Sequence, residues 1–125
     1  MAVIFNKLNL LTNMVSTQTV RQIALSFPET DEHPHFERQA FRVKKKIFAT
    51  LLEKNQTLNV KLSAIDQSVF CAFDPAIIYP VPGKWGLHGM TTIELLKVKK
   101  SMVKDALTCA YCNVAPKELS QKYLR

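Results

Sequence analysis

The side chains best suited to chemistry are cations with aromatic rings placed among them. Lys44, Lys45 and Lys46 form an unbroken basic run with Arg42 just upstream, Lys61 follows, and Lys84, Trp85 and His88 share one glycine-punctuated stretch, GKWGLHG. Lysine and arginine neutralise phosphates and release counterions, and a π-face offers a base something to stack on. Arg42, Lys44, Lys45, Lys46, Lys61, Lys84, Trp85 and His88 are therefore the candidate nucleic-acid-binding residues. Two bland readings stand beside this one: a lone tryptophan more often packs against a core than contacts a partner, and basic residues often form nothing more than a solvated surface. The chain as a whole leans the same way, with 17 Lys and Arg against 10 Asp and Glu, a net charge of +7. That balance suits an anionic polymer.

Other chemistry is less well supported. Cys109 and Cys112 have the C-x-x-C spacing of redox and zinc sites, but they sit inside a helical pattern without a second pair, and with Cys71 they read as packed thiols. His33 and His35 lie in the one acidic cluster, Glu29 to His35, where an H-x-H could ligate a metal; a solvated loop leading into a strand is the preferred reading, and no metal or cofactor is expected. The chain has no G-x-S-x-G, P-loop or G-x-G-x-x-G, and its three histidines have no partner assignable from sequence, so no enzyme is expected.

The elements that must position the cations centre on FERQAFRVKKKIFATLLEKNQTLNVKL, Phe36 to Leu62. Phe41-Arg42-Val43, Ile47 to Leu52 and Val60-Lys61-Leu62 read as strands, linked by a three-lysine turn and by the polar connector Glu53 to Gln56. Alternation turns Arg42 away from Phe41 and Val43, hence to solvent if those two are core. A helix starts from Ser16 or Thr17, carries Val20, Ile23, Ala24 and Phe27 at helical spacing, and ends at Pro28. Ser63 caps a second helix over Ala64 to Phe73, whose apolar side is Ile65, Val69 and Ala72 or Phe73. Ile77 to Tyr79 and Met90 to Leu95 read as further strands. Ser101 can cap a long helix with Val103, Ala106, Leu107, Ala110, Tyr111 and Val114 on one stripe. Lys97, Lys99, Lys100 and Lys104 gather at its start, where they oppose the helix dipole. A short helix from Lys117 to Leu124 follows. The fold class is α+β, a mostly antiparallel sheet with helices packed on one face.

At 125 residues and 47% hydrophobic content, a single domain over 1–125 is expected, with 1–12 an extension of undecided structure. No run reaches the roughly 18–20 apolar residues of a membrane span, and the N-terminus lacks a secretory pattern, so a cytoplasmic protein without membrane contact is expected.

In order and spacing, LSFPET, HPHFERQAFRVKKKIFATL, LNVKL, GKWGLHGMTTIEL and AYCNVAPKEL resemble the MmcQ/YjbR family over about Thr17 to Leu119. The resemblance implies a CyaY/frataxin-like fold and DNA binding through a "double wing" sheet. It rests on Phe41, Arg42, Val43, Lys46, Phe48, Ala49, Lys61, His88 and Gly89. One departure is that Met90 follows His-Gly where the family usually carries tryptophan; the only tryptophan here is Trp85. The iron-holding acidic ridge of frataxin-like proteins is disfavoured, because the first helix carries Arg21 and no acid. DNA binding therefore leads, ahead of a protein-interaction or regulatory adaptor of the same fold and a small-ligand or metal binder.

Overall fold

Ser16 starts the first helix as its sequence predicts. Its Oγ accepts the Thr19 amide at 3.1 Å, satisfying one of the donors that a helix N-terminus leaves orphaned, and α1 (Thr17–Ser26) stops at Phe27, ahead of Pro28. The computed structural model describes residues 14–124, so the extension at 1–12 lies outside the described residues. Three strands follow α1: β1 (Thr30–His35), β2 (Arg38–Val43) and β3 (Lys46–Leu52). A 3-10 turn at Glu53–Asn55 leads to β4 (Thr57–Lys61). Then come α2 (Ala64–Phe73), capped by Ser63, β5 (Ile78–Pro80), the single turn α3 (Lys84–Leu87) and β6 (Met90–Glu94). The long helix α4 (Lys100–Val114), α5 (Lys117–Ser120) and a 3-10 turn at Gln121–Tyr123 close the chain.

The six strands form one sheet in the order β1-β2-β3-β4-β6-β5, antiparallel throughout. The α+β class with helices on one face is thus observed. Val20 and Ala24 of α1 and Val103, Leu107, Ala110 and Tyr111 of α4 join Phe41, Leu51, Leu58, Val60 and Ile93 of the sheet in one buried cluster. At its centre Tyr111 stacks on Phe27 with centroids 4.7 Å apart, meets Phe48 edge-on at 5.7 Å, and donates its hydroxyl to the Pro28 carbonyl at 2.9 Å. That bond satisfies the one polar atom the ring would otherwise bury dry.

Three sequence expectations change. The acidic stretch Glu29 to His35 is not simply a loop; most of it is edge strand β1, mainly exposed yet paired along its length with β2. An edge strand needs only one partner, so neither its charges nor Pro34, which has no donor to offer, prevents pairing. On α2 the expected apolar side is exposed: Ile65, Val69 and Phe73 are 76%, 65% and 64% accessible. Capping and periodicity define a helix locally, but they do not say what will cover it. Finally α4 begins at Lys100 with Lys99 at its cap and no side chain bonding there, so Ser101 lies inside the first turn. Among the described residues no helix is long and apolar enough to cross a membrane.

The register between β2 and β3 has one irregularity. Phe41 pairs with Ala49 and Arg42 with Ile47, so Phe48 is the unmatched residue of a bulge. Phe48 and Ala49 are both fully buried. Replacing Phe48 with alanine should cost about 3–5 kcal/mol, whereas Phe36→Ala, at a residue 95% exposed, should change stability by no more than about 0.5 kcal/mol; urea unfolding of the two variants checks this.

Candidate functional site

Because the helices occupy one face, alternate strand residues project from the other. Ala40, Thr50, Asn59, Thr92 and Tyr79 pair in sequence across five strands, forming one row. Asn59 Oδ1 accepts from Thr92 Oγ1 at 2.7 Å, and Thr50 and Asn59 are among the few buried polar side chains. The edge of this face is built by the turn between β5 and β6. Gly89 holds it: at φ +100° a side chain is strained, and a Cβ there would stand 2.0 Å from the Leu62 carbonyl oxygen. The Leu62 amide in turn donates to the Gly89 carbonyl at 3.0 Å. From α2, Gln67 Nε2 donates to the Gly86 carbonyl at 2.9 Å, tying the same turn down from the other side. Trp85 and His88 are thereby carried over the sheet.

Three of the eight candidate residues meet there. Lys61, Trp85 and His88 line a cavity of about 450 Å³ whose remaining walls are His35, Ile47, Thr50 and Met90. Trp85 is 71% exposed, which overturns the packed reading of a lone tryptophan. Lys45 and Lys46 line an adjoining hollow of about 510 Å³ that shares Ile47 and Lys61 with the first but wraps round the end of the sheet to Asn113 and Val114 of α4, since Lys46 pairs with the core residue Val43. The other three candidates stand apart. Arg42 faces the open side, as alternation requires with Phe41 and Val43 fully buried, but its fork is spent on Asp31: Nε to Oδ1 at 2.8 Å and Nη2 to Oδ2 at 3.0 Å. This pairing holds the Asp31 carboxyl below its usual range. Lys44 lies 3.9 Å from Glu29, and Lys84 is exposed on α3 outside both hollows.

The lysine turn is tighter than the sequence suggests. Val43 pairs with Lys46, leaving Lys44 and Lys45 alone as a two-residue loop at φ 48° and 69°. Such loops favour Asn-Gly, because both central residues are left-handed.

Sequence reasoning missed Arg38. It lies beside His35, Thr50, Asn59, Val81, Trp85 and Met90 in a further hollow of about 280 Å³ continuous with the first cavity. Its spacing four residues before Arg42 on one strand, hence on the same face, was the available signal. Phe36 was also missed. It occupies the tip of the β1–β2 hairpin at φ 58°, with its ring edge-on to His35 at 5.0 Å. His33 and His35 share β1, but among the described residues no three His, Cys, Asp or Glu side chains come together as a metal cluster. Burial pushes the Cys71, Cys109 and Cys112 thiols up, Cys109 to about 11, which is opposite to the depression a reactive thiolate needs.

These features define an α+β domain whose antiparallel sheet is covered by helices on one face and carries a cation-lined, partly apolar trough on the other. The sequence profile of the YjbR family matches residues 25–113, and the chain belongs to that family. The crystal structure of Deinococcus radiodurans protein DR2400, a DUF419 domain, has the same fold: TM-score 0.73 and 19% identity over 89% of each chain. No curated protein matches the chain.

Two outcomes follow from this geometry. Replacing Lys44-Lys45 with Asn-Gly should raise the urea midpoint, equivalent to about 1–2 kcal/mol, because left-handed backbone is costly for lysine. For Cys109 the folded pKa lies above the unfolded one, so its contribution to stability is intact below pH 9 and lost as pH climbs toward about 11. The stability difference between wild type and Cys109→Ala should shift over that interval and stay flat below it.

Proposed function

We propose that the protein binds DNA at the lysine-turn end of its sheet, where the helix-free face meets the end of α4. The carrying observation is convergence: Lys45, Lys46 and Lys61 border one hollow, and Lys61 also borders the cavity walled by the exposed Trp85 and His88. Of the acids on this side Asp31 is neutralised by Arg42, while Glu94 accepts from the Tyr79 hydroxyl in a separate polar hollow that Trp85, His88 and Lys61 do not line. The turn adds support. Lysines held in left-handed backbone where Asn-Gly would be cheaper point to a role outside folding. Membership of the YjbR family is consistent with this reading.

The affinity term expected here is electrostatic and indifferent to sequence. A second reading, a protein-interaction module, is favoured by the exposed Ile65, Val69 and Phe73 on α2. It predicts no DNA binding, so one experiment separates the two.

Fluorescence anisotropy with several labelled duplexes is that experiment. Three phosphate contacts predict a log–log salt slope of about −2.7, roughly a 40-fold loss of affinity between about 50 and about 200 mM salt. Reversal of Lys45, Lys46 and Lys61 to glutamate should abolish binding, and reversal of Lys97, Lys99 and Lys100 at the start of α4 should not. Asp31→Asn, which frees Arg42, should tighten binding and steepen the slope by about 0.9. Absence of binding at low salt, or dependence on the α4 lysines instead, would refute the proposal.

A further inference from the structure

We infer that the trough between Arg38 and Trp85 is a pocket for one unpaired nucleotide, its phosphate on the Arg38 guanidinium and its base against the indole. This rests on the DNA-binding reading and adds a preference to it, because a paired base in a duplex offers its edges but not its face.

Arg38 carries the argument. Three arginines lie among the described residues. Arg21 is forked onto Glu32 and Glu53, and Arg42 onto Asp31. Among the described residues Arg38 has no ion pair, and its Nη1 is buried without any hydrogen-bond partner. A buried donor with no acceptor costs about 1–3 kcal/mol, and more when charged. A bound anion would supply the acceptor that the fold withholds. The planar fork of arginine matches the two oxygens of a phosphate, which a lysine's point charge does not.

The walls specify the rest of the ligand. Trp85, Met90, Ile47 and Val81 give the hollow an apolar side that a phosphate alone would not use. Trp85 is exposed in the free protein although a large ring is normally buried where it can be. Thr50 and Asn59 lie on the floor and can bond the edge of a base but would be poor company for a purely aliphatic ligand. The linked hollows of about 450 and 280 Å³ fall in the size range of small-ligand sites, about 300–1,000 Å³, and suit one nucleotide better than an extended chain.

Trp85 is the single tryptophan, so indole emission, excited at the red edge where the tyrosines do not absorb, reports on this pocket alone. Deoxyadenosine monophosphate should quench it saturably, deoxyadenosine should need at least about tenfold more, and inorganic phosphate should leave it unchanged. Arg38→Gln should weaken the monophosphate at least about tenfold, or ~1.4 kcal/mol, without affecting deoxyadenosine. Arg38→Lys should fall between, and it replaces the glutamine variant if circular dichroism shows that one unfolded. Failure of the monophosphate to quench, equal affinity of the wild type for nucleoside and monophosphate, or equal monophosphate affinity in wild type and Arg38→Gln overturns the inference. The duplex titration is read separately. Duplex binding without monophosphate binding leaves the DNA reading standing and removes the pocket, whereas monophosphate binding without duplex binding does the reverse.

Discussion

The bulge at Phe48 is the constraint on which the open face depends. In an uninterrupted strand, residues three apart point to opposite sides, so Ile47 and Thr50 could not share a wall. They do share one, because Phe48 is the extra residue: Ile47 keeps step with Arg42, while Thr50 keeps step with Ala40 and Asn59. Phe48 itself stays buried against Tyr111 and Phe27. One inserted residue therefore serves both sides. It adds a ring to the core and re-phases the start of β3, so that an apolar residue lies between the lysine turn and the trough.

The core then explains why the other face remains available. α1 and α4 meet over the sheet around the Phe27, Phe48 and Tyr111 rings, with Tyr123 closing over them edge-on. Two helices suffice to cover the apolar residues of the central strands, and α2 is drawn to the β5–β6 edge by Gln67, which bonds Gly86 and Thr91. Nothing on the helical side competes for Thr50, Asn59 or Thr92. These residues satisfy each other or face the trough, giving a polar floor beneath an apolar rim. Antiparallel sheets commonly leave one face in contact with solvent; here that face carries the hollows lined by Arg38, Lys61, Trp85 and His88.

Much of the fold was legible in the sequence because its signals are local. Ser16 and Ser63 cap helices by bonds three residues away, so the starts of α1 and α2 follow from the side chains themselves. Phe41, Val43, Leu58 and Val60 alternate as strands must, and all are buried. What escaped depends on neighbours remote in sequence. β1 has charged and imidazole side chains on an edge strand, where no buried face imposes alternation. The exposure of Ile65, Val69 and Phe73 depends on where α2 comes to rest, which its periodicity does not encode. Trp85 belongs to the same class: its glycine-rich setting marks a turn, but it takes the Leu62 bond to Gly89 and the Gln67 bond to Gly86 to place that turn over the sheet. The eight candidate cations and rings were chosen by type, and distance sorted them. Lys45, Lys46, Lys61, Trp85 and His88 gather, Arg42 is neutralised by Asp31, and Arg38 takes the place that Arg42 was expected to fill.

Arg38 and Arg42 show why charge by itself does not mark a site. They lie on one strand, four residues apart on the same face, with Ala40 between them. Asp31 stands directly across from Arg42 in the β1 register, whereas the residue opposite Arg38 is His35. The difference is thus set by which β1 residues the hairpin presents, and the tip that sets this register is Phe36-Glu37, with Phe36 in left-handed backbone. Glu37, at the tip, is held by Lys54 at 3.0 Å and acts on Arg38 only at longer range, without an ion pair between them. A two-residue tip fixes the register, and the register gives Arg42 its carboxylate and sets His35 opposite Arg38, which among the described residues has no ion pair and lines the trough beside the exposed indole.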